Sequence, residues 1–448
     1  MSINRKKLGA LLGVVAIGIA VASTAGAASQ GSPGVTKNSI TIGGTFPLSG
    51  PASLYATIAG AEQAYYGYVN AHGGVNGRKI NDIVLDDQYN PSKTIVKVKQ
   101  LVENDHVFAV VGGLGTAPGL ATWNYLNNKG VPQVLLATGD AYWGTCTATG
   151  SAFTPKPYCS KPKPWTMGWQ PDYPGEAKLY AKYILTNKKT PHIGILYQND
   201  AYGQNYLDAF NKALGSHTGD VVDAEPYNFT DSSTVVSAHV QALAAHGANT
   251  VVIFATPAAS IAALATITGI KAATHGAFSP LTLLNNVSAN RVFLIAAQGA
   301  HANVNNVVST TYIKSQSATP KDSAMILAKK IINATGNAGL QQQFAAGDNN
   351  LIYGLASAWT FVDALKHAGA TPTRSSLMKA LRNLNETGAN RNPFVFPGMD
   401  VKTSSTRTFP MEQLQFEQWK GQTNACNPNT EVNCGDWRKL GVVLNSGS

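Results

Sequence analysis

The stretch Phe108-Ala-Val-Val-Gly-Gly-Leu-Gly-Thr-Ala-Pro-Gly-Leu-Ala-Thr-Trp123 reads as a buried strand, a glycine-rich turn and a helix. The strand follows from the short apolar run and the turn from Gly112, Gly113 and Gly115. The helix follows from apolar positions that resume after Pro118, a residue tolerated in a first helical turn because no hydrogen bond is lost there. Such a turn leaves the backbone N–H groups around Thr116 and Ala117 unpaired at the carboxyl end of a strand, which makes a seat for an anion. A plain connection in any α/β protein reads the same way, so the rest of the chain has to decide.

Upstream, Ser39 to Phe46 alternates as a strand does and runs into the turn cluster Pro47-Leu-Ser-Gly-Pro51. Ile58, Ala61, Tyr65, Tyr68 and Val69 recur at steps of three and four, the stripe of a helix that the glycines after His72 stop. Residues 80–85 read as a second strand ending at Asp86-Asp87, and 92–104 as a helix turning Ile95, Val98, Leu101 and Val102 inward. With the opening stretch as the third unit and 131–137 as the fourth strand, the rhythm implies a parallel sheet covered by helices on both faces.

The rhythm breaks at 138–169, a long segment rich in aromatic residues and proline. It then resumes with helices over 173–185, 203–214, 232–245 and 258–267 and strands over 192–197, 220–224 and 250–255. A further strand is expected over 291–297, helices over 320–335, 350–368 and 373–384, and strands over 413–419 and 440–444. Elements that follow a finished second unit without starting a third suggest that the chain returns to the earlier ones. Two lobes joined by several crossings would form a hinge.

At 448 residues the chain exceeds one comfortable core. Its start has the pattern of a signal peptide over 1–27: basic Arg5-Lys6-Lys7, an apolar run over 8–22 too short to span a membrane, and the small-residue site Ala25-Gly26-Ala27. No cysteine lies near it for lipid attachment, so an exported protein, periplasmic or secreted and without stable membrane insertion, is expected. Without those three cations, 34 basic residues become 31 against 24 acids, and the formal charge falls from +10 to +7. The excess is scattered and lacks the basic clusters with interleaved aromatics of a nucleic-acid binder.

The four cysteines suggest two local bridges, Cys146–Cys159 and Cys426–Cys434, each stapling one loop for roughly 3 kcal/mol in the chain-entropy model. No Cys-x-x-Cys or paired-histidine spacing points to metal. No P-loop, complete dinucleotide fingerprint, Gly-x-Ser-x-Gly or His-Glu-x-x-His occurs, so neither an enzyme nor a cofactor is indicated.

A set of motifs then carries a resemblance: Phe46-Pro-Leu-Ser-Gly-Pro51, Gly60-Ala-Glu-Gln63, Val69-Asn-Ala-His-Gly-Gly-Val-Asn-Gly-Arg-Lys79, Asp86-Asp87, Asp105-His-Val-Phe-Ala-Val-Val-Gly-Gly113, Gly130-Val-Pro132 and Asp200-Ala-Tyr-Gly203. In order and spacing over 40–255 the chain resembles the periplasmic solute-binding proteins of branched-chain amino acid ABC transporters. The resemblance implies a type I periplasmic binding fold, two Rossmann-like doubly wound α/β lobes joined by a multi-strand hinge. It places lobe 1 at 38–165 and 303–400 and lobe 2 at 166–302 and 401–448. It implies a monomer that closes on a small-molecule ligand and delivers it to a transporter permease.

Carried over by residue, the resemblance seats a ligand carboxylate on Gly115 and Thr116 after the third strand and on Ala137, Thr138 and Gly139 after the fourth, with Tyr55 over the ligand. Tyr202 and Thr256 fall on the wall of the second lobe, and Asp200 is expected to cap its helix. Tyr142, Trp143, Trp165 and Trp169 either line the cleft or pack on the stapled loop.

Amino acid binders of this family clamp the α-ammonium with an acid that would fall within 269–286, where this chain has no Asp or Glu. A buried ammonium without a carboxylate is costly, so a small carboxylic acid without an amine fits better. A helix terminus contributes only about 0.3–1 kcal/mol to an anion, and ~2 when partly buried, against about 8 kcal/mol for micromolar affinity, so a second lobe has to close. The competing classes are a ligand-sensing subunit of a regulatory complex, which would share the fold, and a secreted enzyme.

Overall fold

A computed structural model describes residues 32–147, 155–317, 319–405, 407–421 and 434–446. The expected signal peptide, and Cys426 of the second expected bridge, lie outside the described residues.

The first sheet begins as the alternation predicts. Strand β1 (Ser39–Phe46) buries Ile40 and Ile42, and helix α1 (Thr57–Ala71) buries Ile58, Ala61 and Tyr65. Strand β2 (Lys79–Asp86) pairs in parallel with β1 from Ser39↔Lys79 to Phe46↔Asp86. Asn70, in the last turn of α1, fixes the start of β2 by hydrogen bonds to both the N–H and the C=O of Ile80, each 2.8 Å.

Helix α2 (Pro91–Lys99) starts on an Asn90 cap and continues as a π turn over Gln100–Asn104. Its buried stripe is Thr94, Val98 and Leu101, and Ile95, expected inward, is exposed. The hydroxyl of Thr94 donates to the Asp87 carboxylate at 2.8 Å, which rotates that face inward in place of Ile95. Strand β3 (Val110–Val111), helix α3 (Thr116–Lys129), strand β4 (Gln133–Leu136), helix α4 (Tyr142–Thr145) and strand β5 (Thr166–Gly168) complete this half. The sheet order is β2-β1-β3-β4-β5, all parallel.

The second half runs through α5 (Tyr173–Asn187), β6 (Ile193–Gln198), α6 (Ala201–Leu214), β7 (Val221–Tyr227), α7 (Ser233–Ala245), β8 (Thr250–Phe254), α8 (Pro257–Ala273) and β9 (Leu281–Leu284). The segment expected as a strand over 291–297 is helix α9 (Arg291–Gly299). Asn290 caps it, accepting from the Val292 N–H, and its apolar residues are buried on several sides, so a short apolar run concealed a helical period. Strand β10 (Val308–Thr311) follows.

The chain then supplies α10 (Ser323–Ala334), α11 (Ala338–Ala346), α12 (Asn349–His367) and α13 (Arg374–Leu381), of which α10, α11 and α12 pack on α1. Gly354 of α12 lies so close to α1 that a Cβ there would meet the Ile58 carbonyl oxygen at 2.4 Å. After the small ladder of β11 (Asn385–Glu386) and β12 (Val401–Lys402), strands β13 (Gln413–Lys420) and β14 (Asp436–Asn445) return to the second sheet. Its order is β14-β13-β10-β9-β8-β6-β7, with β13 antiparallel to both neighbours and the other pairs parallel.

Two strands cross the expected lobe boundaries. β5, in the range assigned to lobe 2, pairs in the first sheet, and β10, in the range assigned to lobe 1, pairs in the second. Cys146 and Cys159 form a disulfide, and Cys434 is fully buried. Among the described residues no helix is long and apolar enough to cross a membrane, and no group of His, Cys, Asp and Glu could hold a metal ion.

Candidate functional site

The turn after β3 takes the shape its glycines allow. Gly112, Gly113 and Gly115 have φ of +65°, +86° and +106°, values that L side chains avoid. A Cβ on Gly115 would also come within 2.4 Å of Tyr89 Cε2. Gly115 is the N-cap of α3 and offers no side chain to the helix, so the amides of the first turn are left to another partner. Thr116 is the first helical residue, and its Oγ1 lies 2.7 Å from Thr138 Oγ1, tying the loop after β3 to the loop after β4.

The second sheet faces this turn across a cavity of about 80 Å³, on a measure by which one water needs about 10–15 Å³. Of the residues expected from sequence, Tyr55, Gly115, Thr116, Ala137, Tyr202 and Thr256 line it. Thr138 and Gly139 stand behind the wall. Thr138 reaches Thr116, and the Gly139 carbonyl accepts the Tyr173 N–H at 2.7 Å beneath the Tyr173 ring. Thr256 presents little polar capacity, because its N–H and hydroxyl are taken by Tyr227 and Gln198. Asp200 caps α6, accepting from the N–H groups of Tyr202 and Gly203.

Contacts across the cavity hold the halves closed. The Tyr55 hydroxyl donates to the Val287 carbonyl at 3.0 Å, the Tyr89 ring lies 4.4 Å from that of Phe229, and the Ala141 N–H donates to Asn205 Oδ1 at 3.2 Å. Asp348, at the start of α12, accepts from Thr57 and from Asn290 at 2.7 and 2.6 Å and joins α1 to the cap of α9.

The sequence reading missed Tyr89, Tyr173, Tyr312 and Tyr353, which with Tyr55 and Tyr202 give the cavity six tyrosines. Burial pushes the phenols of all six up, so each is neutral. A tyrosine beside Pro174 at a helix start was the available signal for Tyr173. None of Tyr142, Trp143, Trp165 and Trp169 lines the cavity. Trp143 stacks on Trp123 at 5.3 Å, Tyr142 packs at the same place, and Trp169 Nε1 donates to Thr360. Trp165 faces a separate surface groove.

Among the described residues no Lys, Arg or His lines the cavity. Two carboxyl groups stand at its second-sheet side, and neither was found from sequence. Glu176 of α5 is fully buried and saturated, accepting from Tyr180, Tyr206, Thr310 and both the N–H and the side chain of Asn286 at 2.6–2.8 Å. Glu417 of β13 lines the cavity and is 8% exposed, with burial first and Asp436 second pushing its carboxyl well above the usual range. The segment 269–286, which lacks an acid, serves Glu176 through Asn286.

A family model described as periplasmic binding protein matches residues 39–424 of this chain. The chain belongs to the periplasmic binding protein family. Among its relatives, the Leu/Ile/Val-binding protein homolog 3 of Brucella melitensis is 28% identical over 233 residues, covering 52% of this chain and 58% of that one. The Leu/Ile/Val-binding protein of Escherichia coli K12 is 29% identical over 194 residues, 42% of this chain and 48% of the other. This chain thus spans about half the length of these relatives, which are solute-binding proteins and not enzymes.

Two solved structures show the shared type I fold. A branched-chain amino acid ABC transporter protein of Thermus thermophilus with bound valine superposes with a TM-score of 0.71 at 16% identity, covering 92% of this chain and 97% of the other. A solute-binding protein of Rhodopseudomonas palustris HaA2 in complex with p-hydroxybenzoic acid gives 0.70 at 13%, covering 92% and 98%. The cavity of this periplasmic binding protein lies between its two sheets.

Proposed function

We propose that this protein is the extracytoplasmic receptor of an ABC importer and that it closes on a small solute bearing a carboxylate. One observation carries the reading: the uncapped first turn of α3 forms part of a cavity that, among the described residues, offers no cationic side chain. An anion there would be held by backbone amides, by the helix dipole and by the Thr116 hydroxyl. The six tyrosines suit a flat or apolar body behind that head group. The relatives named for Leu, Ile and Val binding and the neighbour holding p-hydroxybenzoic acid both support a carboxylate. Export, a permease partner and a monomeric state belong to the same proposal. Its ligand-binding residues are Tyr55, Gly115, Thr116, Ala137 and Tyr202, with Thr138, Gly139 and Thr256 supporting them.

The test is thermal unfolding against aliphatic and aromatic carboxylates paired with their primary amides. A solute at a hundred times its dissociation constant adds about 2.7 kcal/mol. At least one carboxylate should raise the melting temperature while its amide does not. Equal stabilisation by acids and amides would defeat the proposal.

A further inference from the structure

We infer that the solute carries, remote from its carboxylate, a hydrogen-bond donor that Glu417 accepts. The inference rests on the carboxylate reading above and extends it to the other half of the molecule. Glu417 stands on β13 of the second sheet, whereas the amide seat stands on α3 beside the first, so a solute that touches both carries two polar groups.

A buried carboxyl group in a protein is normally saturated, as Glu176 is. Glu417 is nine-tenths buried, yet no side chain or backbone group among the described residues donates to it and no cation pairs with it. Its cross-strand neighbour Lys439 is in register but makes no ion pair with it, and Arg291 instead donates to the carbonyls of Gly435 and Ala346.

Two further acceptors without a donor face the same cavity, one on each half. Asn349 Oδ1 and Asn286 Oδ1 line the cavity, are buried at the atom and have no partner. Around the cavity three groups leave acceptor capacity unmet against one amide donor, Gln170 Nε2, and even a protonated Glu417 keeps a free acceptor oxygen, so each acceptor left dry would destabilise the closed form. A donor on the solute removes that penalty only when the halves close, so the same contact that selects the solute favours closure.

The experiment uses two matched series of carboxylates: benzoate, 4-hydroxybenzoate and 4-(aminomethyl)benzoate, and butanoate, 4-hydroxybutanoate and 4-aminobutanoate. Affinities are measured by calorimetry for the wild type, Glu417→Met and Glu417→Gln. In the series that fits the cavity, the donor-bearing members should bind the wild type at least tenfold more tightly than the unsubstituted acid. Glu417→Met should erase that preference while leaving the unsubstituted acid within about twofold, and Glu417→Gln should keep a preference for the hydroxyl member. Glu417→Met without ligand should melt no lower than the wild type, since an apolar side chain replaces an unpaired buried acid. Unsubstituted acids that bind the wild type as tightly as the others would overturn the inference alone, as would a preference that survives in Glu417→Met. Failure of every carboxylate to bind the wild type would overturn the function proposal and this inference with it.

Discussion

Replacing Tyr55 with Phe isolates the closure of the cleft from the folding of either half. The Tyr55 hydroxyl donates to the Val287 carbonyl across the cavity at 3.0 Å, and the ring packs edge-on against Phe293 at 5.9 Å. Phenylalanine keeps the ring contact and removes the donor. In the closed form the Val287 carbonyl then loses its partner in a dry site, which costs about 1–3 kcal/mol. In an open form water satisfies the same carbonyl and the penalty vanishes. The loss therefore falls on the closed state alone and should appear as solute affinity weakened by roughly 5- to 150-fold. Calorimetry with a carboxylate that stabilises the wild type measures the affinity, and small-angle scattering with and without it follows the closure. The unliganded melting temperature should stay at its wild-type value. An affinity within twofold of wild type, or an equal loss of stability with and without solute, would refute the reasoning.

Other perturbations separate seat, scaffold and staple. Gly115→Ala forces a side chain onto a φ of +106° and a Cβ to 2.4 Å from Tyr89 Cε2. The strain of about 1–3 kcal/mol should lower the melting temperature, and moving Tyr89 should weaken solute binding at least tenfold; calorimetry that finds wild-type affinity would count against the seat. Burial pushes Asp140 and Asp172 up to about 7 and Glu386 to about 8, so the folded protein holds protons that the unfolded chain releases above about pH 4. Their stabilising effect is present at low pH and is lost as pH rises through 7–8. Urea unfolding should therefore give a lower free energy at pH 8 than at pH 5.5, with a shallower fall in Asp140→Asn, and a rise over that interval would contradict it. The double variant Cys146→Ser/Cys159→Ser should lose up to roughly 3 kcal/mol of stability while solute affinity stays unchanged, because neither cysteine lines the cavity. Weakened binding in calorimetry would show that the stapled loop shapes the site.

Much of the fold was legible where local chemistry leaves few choices. The glycines of 112–115 announce a turn because their φ values exclude other residues, and the stripe of Ile58, Ala61 and Tyr65 announces α1 because only one helical face can carry it. The 291–297 segment misled because Val292 to Ile295 is short, apolar and buried on several sides, which leaves no clean period to read. The site was legible on its first-sheet side, where a backbone turn defines it. Tyr89, Tyr173, Tyr312, Tyr353 and Glu417 come from segments far apart in the chain and meet only after both sheets form, so no local pattern marks them. For Trp143 and Trp169 the sequence left a cleft wall and packing on the stapled loop equally open, because an aromatic cluster in an insertion has the composition of either; both side chains are buried in cores, Trp143 against Trp123 beside the disulfide.

The most direct measurement is a crystal structure with the carboxylate that stabilises the protein most. The account predicts the carboxylate within hydrogen-bond reach, roughly 2.7–3.2 Å, of the backbone amides at Thr116 and Ala117, with Tyr55 and Tyr202 against the body of the solute. A carboxylate bound away from the start of α3, or a solute lying outside the cavity between the two sheets, would contradict it.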